Sequence, residues 1–259
     1  MDYQKLCFED SGMPKDVFLL KYAGHPIRYS FLVPGTRYLF RPAPRRVKGE
    51  TVDVVGSWEL LEAARGNFEE GTKDEYLEYR CLLGLVSRYL LRFGCCVFHA
   101  AAFRWRDRAW LLTAPPETGK TTQYVNWQRL FPGEIDMISG DMPVLEGKED
   151  GSVWVYPSSW NGKENLFGAE AAPLGGVVLL EQGSGDQIEP LSVREGLMPL
   201  MQQFMVYPET EEEILSLTKL MERVFLYAPC WKFVNRGRDE ATRLLRETLL
   251  ASCEMGRDD

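Results

Sequence analysis

The chain has 259 residues, 45% of them hydrophobic and 26% charged, a balance that excludes a largely disordered protein and allows one large core or a core with a subdomain. Its formal net charge of −8 supplies no basic field for nucleic acid or an anionic membrane. No basic segment followed by an apolar run opens the sequence, and Arg or Gly interrupts every apolar stretch, so the expectation is a soluble cytoplasmic protein without a membrane partner.

From the N-terminus, Val17 to Leu20, Ile27 to Val33 and Tyr38 to Phe40 are short apolar runs separated by Ala23-Gly24, Pro34-Gly35 and Pro42-Ala43-Pro44. They predict a β-rich region over 1–72, packed on a main domain over 73–259. Arg41, Arg45, Arg46 and Lys48 form a basic cluster that reads as a solvated loop. Thr72 and Glu75 have capping-box spacing ahead of a helix whose Leu82, Val86, Tyr89/Leu90 and Phe93 share one face, with Gly94 as the stop.

Cys95 to Phe103 then reads as a strand, Trp105 to Arg108 as a polar turn and Ala109 to Thr113 as the second arm of an antiparallel hairpin. A helix is expected to about Leu130, and a short strand over Met137 to Ser139. Further strands are expected at Val153 to Tyr156, Val177 to Leu180 and Trp231 to Val234. Thr210 and Glu213 predict a capping box before one C-terminal helix, and Arg238 to Leu250 forms another. Trp105, Trp154 and Trp160 are candidates either for a partner surface or for core packing.

Cys7, Cys81, Cys95, Cys96, Cys230 and Cys253 contain no CxxC pair and read as structural thiols. With only His25 and His99 present, multi-histidine metal centres are excluded.

The most informative segment is Ala114 to Thr122, Ala-Pro-Pro-Glu-Thr-Gly-Lys-Thr-Thr, which fits G-x-x-x-x-G-K-[ST] except at its first position. In such a loop a strand ends, backbone N–H groups turn inward and a helix N-terminus adds positive potential. Ala114, Thr118, Gly119, Lys120, Thr121 and Thr122 are therefore candidate nucleotide-binding residues. Lys120 would hold the β/γ-phosphates and the Thr121 hydroxyl would ligate Mg²⁺. Pro115 and Pro116 lack N–H donors, and Glu117 adds a carboxylate.

Asp141, directly after the Met137–Ser139 strand and Gly140, is the candidate metal ligand and proton acceptor. Asp136 begins that strand and falls at the opposite end. The simpler alternatives are a helix start with an incidental Gly-Lys-Thr and a turn aspartate.

These residues resemble the HPr serine kinase/phosphorylases, most closely the diverse HPr-kinase-related proteins of the PEP-carboxykinase-like superfamily. The resemblance rests on Phe98-His99-Ala100-Ala101-Ala102, the following hairpin, the phosphate loop, Gly140-Asp141, Ser159-Trp160-Asn161-Gly162 and Val177 to Gln182, and covers roughly 75–250. It implies an α/β (α+β) fold with a mixed sheet and a P-loop, an N-terminal β-rich extension and a helical C-terminal part. It also implies ATP and Mg²⁺ as cofactors and transfer of the γ-phosphoryl group to a hydroxyl.

Under that resemblance Lys120, Asp141 and His99 would be catalytic, with His99 facing the transferred group; as a core histidine, His99 would need no function. Lys163 lies in a loop that approaches the site in the family, although a solvated lysine is the simpler reading. The acceptor would be a protein, peptide or small molecule, and a homo-oligomer remains open. Gly140-Asp141 replaces the family's Asp-Asp pair, and no segment resembles the HPr-recognition motif. The alternative is a weak or inactive nucleotide-binding module with a regulatory or assembly role, for example in a peptide-maturation cassette.

Overall fold

The structure, a computed structural model, describes residues 17–40, 52–55, 57–115, 118–162, 166–168 and 170–255. The basic cluster at 41–48, Pro116, Glu117 and Lys163 lie outside the described residues, as does Cys7.

The chain folds as mixed α/β. A three-stranded sheet is formed by β1 (Val17–Tyr22), β2 (His25–Ser30) and β3 (Val52–Val55). The Tyr38 to Phe40 run does not extend into a strand: Thr36–Leu39 is a 3₁₀ turn, which places Phe40 fully in the core. Helix α1 (Trp58–Arg65), unforeseen in the sequence, is capped by the Ser57 hydroxyl, which accepts from Leu60 N.

Helix α2 (Asp74–Leu91) lacks the expected capping box. Lys73 is its N-cap, and the Thr72 hydroxyl instead donates backward to the Glu69 carbonyl, one turn too early. Leu82, Val86, Tyr89 and Leu90 are buried as predicted, whereas Phe93 lies beyond the helix and is exposed. Gly94 follows with φ +67°, the left-handed geometry of a helix stop.

The expected Cys95–Phe103 strand is in fact two. β4 (Cys95–Val97) pairs with β8 (Val144–Gly147), whereas β5 (Ala101–Trp105) joins a hairpin with β6 (Arg108–Thr113). The chain changes partners at His99-Ala100. Arg106 and Asp107 both have positive φ, as a two-residue hairpin turn demands.

After β6 come α3 (Lys120–Leu130), β7 (Asp136–Ser139) and β9 (Val153–Tyr156), followed by the long β10 (Ala172–Gln182) and β11 (Gln187–Pro190). The chain finishes with α4 (Val193–Met201), α5 (Glu211–Tyr227), β12 (Cys230–Asn235) and α6 (Asp239–Met255). The Thr210–Glu213 capping box is formed as expected.

The second sheet runs β4-β8-β9-β10-β6-β5-β7. Strand β10 bridges its two wings, pairing antiparallel with β9 at Ala172–Pro173 and parallel with β12 from Val177 to Gln182. Along its other edge β10 runs parallel to β6. A register shift between Leu174 and Gly176 reverses the alternation, so Leu174 and Val177 join one core cluster while Val178 and Leu180 join the other.

Helix α5 covers the first face, where Leu217, Leu220 and Val224 pack with Leu111 and Val177. Helices α3 and α6 cover the second through Trp127, Leu245 and Leu249. Trp105 and Trp160 are core residues: Trp105 stacks edge-on to Trp127 at 5.2 Å, and Trp160 packs among Tyr29, Phe40 and Tyr79. Cys95, Cys96 and Cys230 are buried, while Cys81 and Cys253 are half-buried. Among the described residues, no helix is long and apolar enough to cross a membrane.

Candidate active site at the end of strands β6 and β7

The break between β4 and β5 sets the backbone of His99 between the two strands. His99 N donates to Gln203 O at 2.7 Å, and its carbonyl accepts from the Thr113 hydroxyl at 2.8 Å. These bonds fix the residue at the C-terminal end of β6. Ala100 N donates to the Asp141 carbonyl at 2.8 Å, which ties the end of β7 to the same point.

The side chains then converge. His99 Nε2 lies 3.2 Å from Lys120 Nζ and 3.3 Å from Asp141 Oδ1. Lys120, the first residue of α3, is 9% exposed, and its ammonium also donates to the Ala114 carbonyl at 3.0 Å. Nδ1 of His99 meets Gln203 Oε1 at 3.1 Å, while the Gln203 amide donates to the Pro199 carbonyl. The His99 ring thus meets an amide oxygen at Nδ1, and both an ammonium and a carboxylate at Nε2.

The candidate residues of the loop occupy the strand-to-helix connection. Ala114 is buried at the end of β6, and the Thr118 hydroxyl bonds Pro115 O at 2.8 Å. Gly119 is the helix N-cap with φ +107°, a conformation that favours glycine. Thr121 is half-buried in the first turn of α3. Thr122 is exposed, its methyl 3.9 Å from the point a Cβ on Gly237 would occupy.

Asp141 is held from outside by the Ser158–Gly162 loop. Asn161 Oδ1 accepts from the Ser139 hydroxyl at 2.9 Å and from Gly140 N at 3.4 Å, while its amide donates to Ser158 O. Gly162, with φ +66°, packs so closely that an added Cβ would stand 3.2 Å from Asp141 Cβ. Gly140 has no room for a side chain: a Cβ there would meet Leu166 O at 2.9 Å.

The structure thus brings His99, Lys120 and Asp141 together and sets Asp136 at the other end of β7, paired with Arg104. Near Asp136 a separate cleft of about 520 Å³ is lined by Arg104, Tyr124, Gln128, Met137 and Phe167, and it includes none of the three converging residues.

Sequence reasoning missed Gln203, and it named Asn161 only as part of the Ser159–Gly162 segment, with no role of its own. The only sequence signal was the position of Asn161 beside Trp160.

No family model matches the chain, and no curated protein matches it. Among solved structures it is similar to the HPr(Ser) kinase/phosphatase from Coxiella burnetii, at 11% identity and a TM-score of 0.36. That match covers 63% of this chain and 99% of the other.

Proposed function

We propose that the protein is a nucleotide-binding module of HPr-kinase-like architecture that uses ATP and Mg²⁺ to phosphorylate a hydroxyl. The observation carrying this reading is the convergence of Lys120 and Asp141 on His99 at the end of β6, next to the N-terminus of α3. The phosphate-loop pattern in the sequence supports it independently.

The residues present fit such a ligand. The Lys120 ammonium lies against the Ala114 carbonyl and the His99 imidazole at the N-terminus of α3, where the positive end of the helix would add to its charge on a polyphosphate. Lys120 and the first amides of α3 would hold the polyphosphate, and Thr121 with Asp141 would hold the cation. Mg²⁺ would neutralise charge on the β- and γ-oxygens.

Asp141 accepts the proton of the attacking hydroxyl. The new O–P bond forms as the bond between the γ-phosphorus and its bridging oxygen breaks, leaving ADP. His99, held by Gln203, keeps its Nε2 turned toward the transferred group. Removal of Lys120 withdraws the charge stabilisation a phosphoryl transfer needs, an effect of roughly 100-fold or more.

ADP formation from Mg-ATP with and without candidate acceptors, measured for the parent, Lys120→Ala and Asp141→Asn, tests the reading. Both variants should lose turnover while circular dichroism stays unchanged. If both work as fast as the parent, the mechanism is wrong.

A second reading, a binding module with little or no catalysis, is favoured by the packing at Gly140. With no space for a second carboxylate beside Asp141, one acidic group would have to serve both metal and proton. A thermal shift separates the possibilities. Ligand at 100 times its dissociation constant stabilises a protein by about 2.7 kcal/mol. Stabilisation by Mg-ATP without turnover favours the second reading, and no stabilisation at millimolar concentration removes both.

A further inference from the structure

At the opposite end of β4 from His99, His25, Cys95 and Glu146 each offer a donor atom, and these atoms lie within 4.8 Å of one another. Three different elements supply them. Cys95 on β4 and Glu146 on β8 are direct cross-strand partners, so their side chains share one face of the sheet. His25 opens β2 of the smaller sheet, and its ring stacks on Phe93 with centroids 3.9 Å apart, which brings it over the β4–β8 pair.

We propose that these three residues bind a divalent metal of the zinc class, with water as fourth ligand, and thereby clamp the N-terminal sheet to β4 and β8. Imidazole, thiolate and carboxylate are the donors zinc takes, and three protein ligands plus water is an established coordination set. Zinc–ligand bonds of about 2.0–2.3 Å place donors roughly 3.5 Å apart, so the trio closes by about 1 Å on binding. The thiolate selects against Mg²⁺, which keeps this site chemically distinct from the nucleotide site.

The surroundings are compatible. Cys95 is fully buried and its thiol donates only a weak bond, to Phe93 O at 3.5 Å. Glu146 is faced by the Lys148 ammonium at 2.5 Å and by the Tyr156 phenol. The oxygen that meets the ammonium is Oε2, which is buried. Lys148 is 35% exposed and can swing into solvent as a cation takes its place. Binding converts the Cys95 thiol to thiolate and releases its proton to the buffer.

The test uses the full-length protein and metal alone, without nucleotide. Co²⁺ should bind one per chain, give cobalt–thiolate charge-transfer absorption, and be displaced by Zn²⁺. Cys95→Ser should abolish that absorption. His25→Ala and Glu146→Gln should each weaken Zn²⁺ binding at least about 100-fold in competition with a chromophoric chelator, more than loss of an outer partner costs. Lys120→Ala should bind zinc like the parent. Absence of the absorption, its survival in Cys95→Ser, or unchanged zinc affinity in His25→Ala overturns the proposal. If Cys95→Ser fails to fold, the zinc affinities of His25→Ala and Glu146→Gln decide it.

Discussion

Two carboxylates in this protein receive opposite treatment. Glu78, on α2, is fully buried and accepts from Leu32 N at 2.6 Å, Val33 N at 2.9 Å and the Thr36 hydroxyl at 2.6 Å. Asp141, at the end of β7, is 28% exposed on its side chain and meets His99 Nε2 at 3.3 Å. Gripped by short charge-assisted bonds in the interior, Glu78 holds the 32–36 segment against α2. Asp141 is positioned through its backbone and through the close packing of Gly162, and its side chain stays partly open to solvent. The fold aims several donors at one carboxylate and leaves the other partly open.

The largest expected effect lies at the buried end of this comparison. Glu78→Ala strands two backbone N–H groups and a hydroxyl in the interior, a loss of about 3 kcal/mol or more in urea unfolding. Asp141→Asn should shift stability by no more than about 0.5 kcal/mol. Equal losses would erase the distinction.

Next in size is the tight wall beside Asp141. Gly140→Ala pushes a methyl into Leu166 O and should cost roughly 1–3 kcal/mol in the same measurement.

The smallest effect concerns a half-buried ion pair, the counterpart to Glu78. Hydrogen bonding to Arg246, at 2.7 and 2.8 Å, holds the Glu134 carboxyl below the usual glutamate range. A depressed value stabilises the fold above the ordinary glutamate range, and that contribution disappears as pH falls through it. Solvent screens the pair, so Glu134→Gln should cost about 0.5–1 kcal/mol at neutral pH. Unfolding curves of parent and variant should converge as the medium becomes acidic, and a constant gap would assign the effect to packing.

Much of the fold was legible because it is written in local patterns. Arg106-Asp107 between two apolar runs specified the hairpin, and Thr210 with Glu213 specified the start of α5. The break at His99-Ala100 was not legible. Its apolar neighbours continue in an unbroken run, and what interrupts the strand is the competing backbone bond from His99 N to Gln203 O. The same limit applies to α4, whose exposed Val193, Leu197, Met198 and Met201 obscure an amphipathic reading.

Sequence alone determined which residue types could act at the candidate site: a lysine at a helix start, a carboxylate after a strand, and one histidine upstream. Only the tertiary structure decided that all three meet. Their meeting depends on long-range backbone pairing of β5 with β6 and β7, and on Gln203 and Asn161 reaching in from distant segments. Periodicity and capping report interactions within a few residues, whereas a site assembled across the sheet is set by register and by hydrogen bonds that no local pattern encodes.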